Sequence, residues 1–143
     1  MAKSFAQSKG IRGEREIIDM LQPVVTEVYE AAGLEPPKLQ RNTLQSDGGG
    51  FDIVGLHWLA MEVKRCETLN RSAWTAQCLR QAKPGQVPVL FYKQNHQKWK
   101  VMMHSLLVTT GASNLKVWSE IKIEDFMVYF KLRLTEEIEK EMN

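Results

Sequence analysis

"DGGGFDIVGLHWLAMEVKR" runs from Asp47 to Arg65 and reads as two apolar strands joined by a very short connection. Its difficulty is Asp52, Glu62 and Lys64, charges set among Phe, Ile, Val, Leu and Met. A buried charge is costly unless it is paired or holds a metal, so these residues need a reason. Side chains alternate faces along a strand, which puts Glu62 and Lys64 on one face and Met61, Val63 and Arg65 on the other. In a hairpin turning at His57 and Trp58, the start of one strand lies beside the end of the next. Asp52 is therefore expected to meet Glu62 and Lys64, just after three glycines that let backbone or ligand approach closely.

Two carboxylates and a lysine at a sheet edge suit a hard divalent cation. Mg²⁺ takes one or two carboxylates, keeps several waters and completes its shell with phosphate oxygens. Lysine cannot bind the metal, but it can hold or deprotonate an attacking water and steady charge on a phosphate. That combination is the chemistry of phosphodiester hydrolysis.

Outward from this stretch, Ile17, Ile18, Leu21, Val25, Val28 and Ala32 keep helical spacing, and Gly33 with Pro36 and Pro37 supplies a stop. The spacing predicts a helix from about Arg12 to Ala32, kinked or split at Pro23. A short strand is expected over Lys38 to Thr43, then strands over Phe51 to Leu56 and Leu59 to Arg65. Ser72 is expected to cap a helix over Ala73 to Lys83, ended by Pro84 and Gly85. Val87 to Tyr92 and Lys98 to Met103 form a second hairpin, Leu115 to Ile123 another strand, and Glu124 to Glu141 a closing helix. The inner face of that helix is expected to be Met127, Phe130, Leu134 and Ile138. The order α, β, β, β, α, β, β, β, α predicts an α/β fold, a mixed sheet flanked by helices.

The 143 residues fit one domain, with no repeat or linker to divide them. No apolar run could span a membrane, and the opening "MAKSFAQSKGIRGERE" lacks the apolar segment of a signal peptide, so a cytoplasmic protein is expected. Cys66 and Cys78 suit neither a zinc site nor a disulfide framework and are read as reduced thiols. A net charge of +2 leaves the placement of basic residues as the guide to a nucleic-acid partner. Lys9, Arg12 and Arg15 precede the acids, and Arg65, Arg71, Arg80 and Lys83 follow them.

Asp52 followed by Glu62-Val63-Lys64 resembles the D…ExK motif of restriction-endonuclease-like, or PD-(D/E)xK, nucleases, with Phe51 where that pattern often has proline. "KGIRGERE" from Lys9 to Glu16 is similar to the KGxxxERE opening of archaeal-type Holliday junction resolvases. Arg41 and the Ser46-Asp47-Gly48 loop resemble the basic residue and SxG loop that the same family carries ahead of its catalytic Asp. Trp74-Thr75-Ala76-Gln77 follows at the distance where many of these nucleases place a helix-borne Gln.

The resemblance implies a restriction-endonuclease-like sheet with an α-β-β-β-α-β core. It implies a DNA endonuclease that uses Mg²⁺, with Mn²⁺ able to substitute. Asp52 and Glu62 would hold the metal, joined by the Val63 carbonyl, and Glu14 would support the metal or its waters. Lys64 would orient the water and Gln77 would position the site. Lys9, Arg12, Arg15, Arg41, Ser46, Arg65, Arg71 and Lys83 would bind DNA, a four-way junction or another branched form. The working unit would be a homodimer, with no membrane partner; Trp118, Phe126, Tyr129 and Phe130 offer interface material for it or could all be core.

Plainer readings stand beside these. Asp52, Glu62 and Lys64 could be a surface strand pair with a salt bridge, Glu14 a solvated acid at a helix start, and Gln77 an ordinary polar residue. The basic residues could be general surface charge. His57, His96 and His104 read as structural or exposed, and the four tryptophans as core or interface anchors. Functional alternatives are a less selective nuclease acting on flaps, nicks or ends, and a DNA-binding module that kept the fold and lost the reaction.

Overall fold

The computed structural model describes residues 5–43, 51–65 and 67–143. Ser46, Asp47, Gly48 and Cys66 lie outside the described residues. The elements run α1 (Phe5–Ala31), β1 (Gln40–Arg41), β2 (Ile53–Val54), β3 (Leu59–Arg65), α2 (Arg71–Gln81), β4 (Val87–Lys93), β5 (Lys100–Leu107), β6 (Leu115–Lys122) and α3 (Ile123–Met142). They build one mixed six-stranded sheet in the order β1-β2-β3-β4-β5-β6. Every neighbour is antiparallel except β3 and β4, which run parallel through α2.

One face of the sheet carries the main core. Leu59, Met61 and Val63 of β3, Val89 and Phe91 of β4, and Val101 and Met103 of β5 pack there against α1 and α3. α1 contributes Ile17, Leu21 and Val25, all fully buried, at the i, i+4 spacing expected of an amphipathic helix. α3 contributes Phe126, Phe130, Leu134 and Ile138, and Phe126 meets Phe91 edge-on with ring centroids 5.1 Å apart. The other face is covered by α2, where Trp74 packs on Leu90 and Tyr92. β4 is therefore buried on both sides, and Glu62 and Lys64 fall on the α2 face by strand alternation.

Several local expectations change. α1 is not split at Pro23 but runs through it, and it begins before Arg12. Asn70, not Ser72, caps α2 by accepting the Ala73 N–H, which places the helix start two residues earlier. On α3 Phe126 replaces Met127 in the fully buried stripe, and with Phe126 and Phe130 sealed inside, neither is interface material. β2 is only two residues long because Gly55, at φ 135°, leaves the ladder. No helix of the described residues is long and apolar enough to cross a membrane.

Gly55 is also where backbones crowd. A Cβ there would lie 2.8 Å from Leu39 Cδ2 and 3.2 Å from the Lys38 carbonyl oxygen. Gly55→Ala is expected to lower stability by about 1–3 kcal/mol, because it adds strain at a positive φ to this contact. Gly10→Ala, inside α1 with nothing within 4 Å of the added methyl, should raise stability by about 0.5–1 kcal/mol. Denaturant unfolding of both variants checks the pair, and equal effects would contradict the assignment of Gly55.

Candidate active site

The two-residue β2 leaves Asp52 just outside the ladder, yet both ends of this residue are fixed. Its N–H donates to the Met61 carbonyl at 2.9 Å, and its own carbonyl accepts the Asn42 N–H at 2.8 Å. Its carboxylate accepts the Val63 N–H at 2.7 Å. The side chain thus takes a backbone donor of β3 that the shortened strand leaves open. Asp52 is thereby set against Glu62, the residue between Met61 and Val63.

Glu62 is 1% exposed, and neither carboxylate oxygen has a hydrogen-bond donor. Burial, with Asp52 beside it, pushes its carboxyl up to about 9, and Lys64 pulls only weakly the other way. Two carboxylates offer each other no donor, so Glu62 can bond to Asp52 only by keeping its proton. The surface salt-bridge reading does not describe this residue: Glu62 is sealed and makes no ion pair with Lys64 among the described residues. Lys64, half-buried, follows on the same face and acts on both Glu62 and Glu14.

Glu14 reaches the same corner from α1. Its Oε2 accepts Arg41 Nε at 2.7 Å, and the pair is largely buried. Burial raises its carboxyl, opposed by the Arg41 hydrogen bond and reinforced by Asp52. The second glutamate of the same motif does a different job. Glu16 accepts Arg65 Nη1 at 3.1 Å and Trp99 Nε1 at 2.9 Å, tying α1 to β3 and to the start of β5.

Among the described residues, no three His, Cys, Asp or Glu side chains close into a metal-binding group. Glu14 is turned to Arg41, which leaves Asp52 and Glu62 as the carboxylate pair. That donor set fits Mg²⁺, which takes one or two carboxylates and fills its shell with water and phosphate oxygens. The two unpartnered oxygens of Glu62 are the feature such a cation would satisfy.

Gln77 lies half-buried on α2, and its neighbour Cys78 is buried close enough to Glu62 and Asp52 to feel their charge. The Cys78 thiol is pushed up to about 12 by burial and by Glu62 and Asp52. Trp74, Cys78 and Gln81 form the inward stripe of α2, and Gln81 Oε1 is buried without a partner. The i, i+4, i+7 spacing of those three was the available signal for them.

The expected DNA-binding residues divide. Lys9 is nearly buried and paired with Glu67 at 3.2 Å, Arg41 with Glu14, and Arg65 with Glu16. Arg12, Arg15 and Lys83 are exposed. Arg71 is half-exposed and paired with Glu120 at 3.3 Å. α2 must run back against β3 to reach the parallel β4, so Arg71 lies toward the Lys64 end of the sheet and Lys83 at the opposite end. Compared with protein-family models, curated proteins and solved structures, the chain matches none.

The raised carboxyl of Glu62 makes a thermodynamic prediction. Its folded pKa of about 9 exceeds the ordinary 4.5, so its contribution is full in acid and is lost as pH rises from 4.5 to about 9. Glu14 acts in the same direction. Glu62→Gln is expected to flatten this decline and to be more stable than wild type at mildly alkaline pH. Mg²⁺ should raise the wild-type Tm there and leave that of Glu62→Gln unchanged, since a ligand that binds only the folded state stabilises it. Thermal unfolding across pH, with and without the cation, checks both statements. A wild-type stability that climbs over this range would contradict the burial of an unpaired acid.

Proposed function

We propose that the chain is a Mg²⁺-dependent DNA endonuclease of the restriction-endonuclease-like class, similar to Holliday junction resolvases. The observation that carries the reading is Glu62, a carboxylate sealed from water, without a donor and set against Asp52. The order helix, three strands, helix, then a strand parallel to the third supports it, as the D…ExK resemblance leads one to expect.

In this reading Asp52, Glu62 and the Val63 carbonyl hold the cation. The chemistry it supplies when bound is Lewis-acid polarisation of a phosphoryl oxygen and acidification of the attacking water. Asp52 is oriented for this by the Val63 N–H. Lys64 directs its ammonium at the water and at charge growing on the phosphate, from a half-buried position where that charge is weakly screened. Glu14, fixed by Arg41, borders the site and biases its field. A module that only binds DNA has no use for an acid buried without a donor. A resolvase must make two matched cuts, so the working unit is proposed as a symmetric homodimer.

One observation favours a second reading within the same chemistry, a less selective nuclease acting on flaps, nicks or ends. Lys9, Arg41 and Arg65, expected to grip a junction, are each tied to an acid of the same chain.

Incubation with four-way junction, flap and linear duplex, with and without Mg²⁺, tests both. Asp52→Asn and Glu62→Gln are expected to abolish cleavage while leaving DNA binding nearly intact, because phosphate contacts made elsewhere persist. Lys64→Ala should slow cleavage by about 10² to 10³ at little cost in affinity. Wild-type rates in either acid variant at saturating Mg²⁺ would refute the site. A monomer that cuts linear duplex as readily as junctions would select the second reading.

A further inference from the structure

Strand register assembles a row of side chains that runs across the α2 face of the sheet. Lys64 of β3 pairs with Tyr92 of β4, Tyr92 with Lys100 of β5, and Lys100 with Lys122 of β6. Tyr92 is fully buried, and its place in the row is taken at the surface by Arg71. Arg71 Nη1 reaches the Tyr92 hydroxyl at 3.5 Å and Glu120 Oε1 at 3.3 Å, while that hydroxyl donates to Glu120. The guanidinium is held in position and remains half-exposed.

Lys100 and Lys122 stand directly opposite each other, an arrangement that destabilises a strand pair. Both are exposed, and neither makes an ion pair among the described residues. With Lys98 and Trp99 they line an open cleft of about 750 Å³. Glu120, on the neighbouring row, is already engaged by Tyr92 and Arg71. Glu124 and Asp125 line the same cleft from the first turn of α3, where the helix dipole favours acids, and neither makes an ion pair with Lys100 or Lys122 among the described residues. A like-charged pair that no neighbouring carboxylate of the cleft engages in an ion pair is what an anionic ligand would satisfy. The regular spacing points to a polyanion: strands about 4.8 Å apart put Lys122 about 14 Å from Lys64. That span matches about four nucleotides of a strand advancing about 3.4 Å each.

We infer that Arg71, Lys100 and Lys122 form a track that binds successive phosphates of the nucleic-acid strand leading away from Lys64. The inference rests on the nuclease reading and names a path for its substrate. Phosphate contacts give affinity and register without base information, which suits recognition of DNA shape.

The test is equilibrium binding of fluorescent four-way junction and duplex DNA in chelator, so that no cutting intervenes, over a range of salt. Lys100→Ala/Lys122→Ala is expected to reduce the slope of log affinity against log salt by about 1.8, at about 0.9 for each lost contact. The double variant Lys38→Ala/Lys116→Ala, at exposed lysines off the row, should keep the wild-type slope. Lys122→Glu replaces the like-charged pair with an opposite one, so it should weaken binding while its Tm stays at or above wild type. An unchanged slope in Lys100→Ala/Lys122→Ala, or DNA binding by Lys122→Glu equal to wild type, would overturn the track. A wild-type chain that binds DNA with these dependences yet cuts none in Mg²⁺ would overturn the nuclease reading alone, and one that binds no DNA would overturn both.

Discussion

A carboxylate closed off from water with no donor on either oxygen is the constraint around which this molecule is built. Glu62 has no freedom to escape it. Met61 and Val63 on either side are locked into the core beneath α1, so alternation along β3 sends Glu62 to the α2 face, under Trp74 and Cys78. Asp52 supplies the second charge and is as firmly held, by its own backbone bonds to Met61 and Asn42 and by the bond its carboxylate takes from Val63. Two acids fixed this close favour one proton, or one cation, between them. The apolar packing on the opposite face supplies the stability that keeps such a pair in place.

α1 joins the two faces. It packs tightly against β3 at Gly13, where a Cβ would lie 3.3 Å from Trp99 and 3.4 Å from Val63. That contact brings Glu14 to the acids and Glu16 to Arg65 and Trp99 within one turn of helix. A larger residue at position 13 would therefore lift Glu14 away from the site along with the helix. The continuity of α1 through Pro23 matters for the same reason, since Val25 and Val28 on the far side of the proline anchor the helix that carries Glu14.

The element order was legible because each element announces itself locally. Period-two runs, the Pro-Gly stops and the apolar stripe of α3 need no distant partner to be read. The meeting of Asp52 with Glu62 was legible too, since a tight hairpin leaves one register open to it. What escaped depends on contacts far apart in the chain. Lys9 pairs across 58 residues, Arg41 across 27 and Arg65 across 49, so their surface charge could not be judged from spacing. The opposition of Lys100 and Lys122 follows from the β5–β6 register, which a loop from 108 to 114 does not announce. Gly55 shortens β2 because its backbone leaves the ladder, an effect a Phe-Asp-Ile-Val-Gly run does not reveal.

The basic residues sort by whether an acid already claims them. An ion pair removed from solvent loses hydration on both sides, and once formed it offers little charge to a passing phosphate. Lys9, Arg41 and Arg65 have made that exchange, and what they do is position Glu67, Glu14 and Glu16. Arg12, Arg15, Lys100 and Lys122 have not: they are exposed and without ion pairs among the described residues. Their attraction for a polyanion is undiminished by any internal partner, though screened by salt beyond about 10 Å. Under the proposed nuclease function, long-range attraction of a nucleic acid would fall to the residues that do nothing for the fold, while those nearest the acids set the geometry of the site. This division explains how a chain of net charge only +2 can present a basic path beside a pair of buried acids.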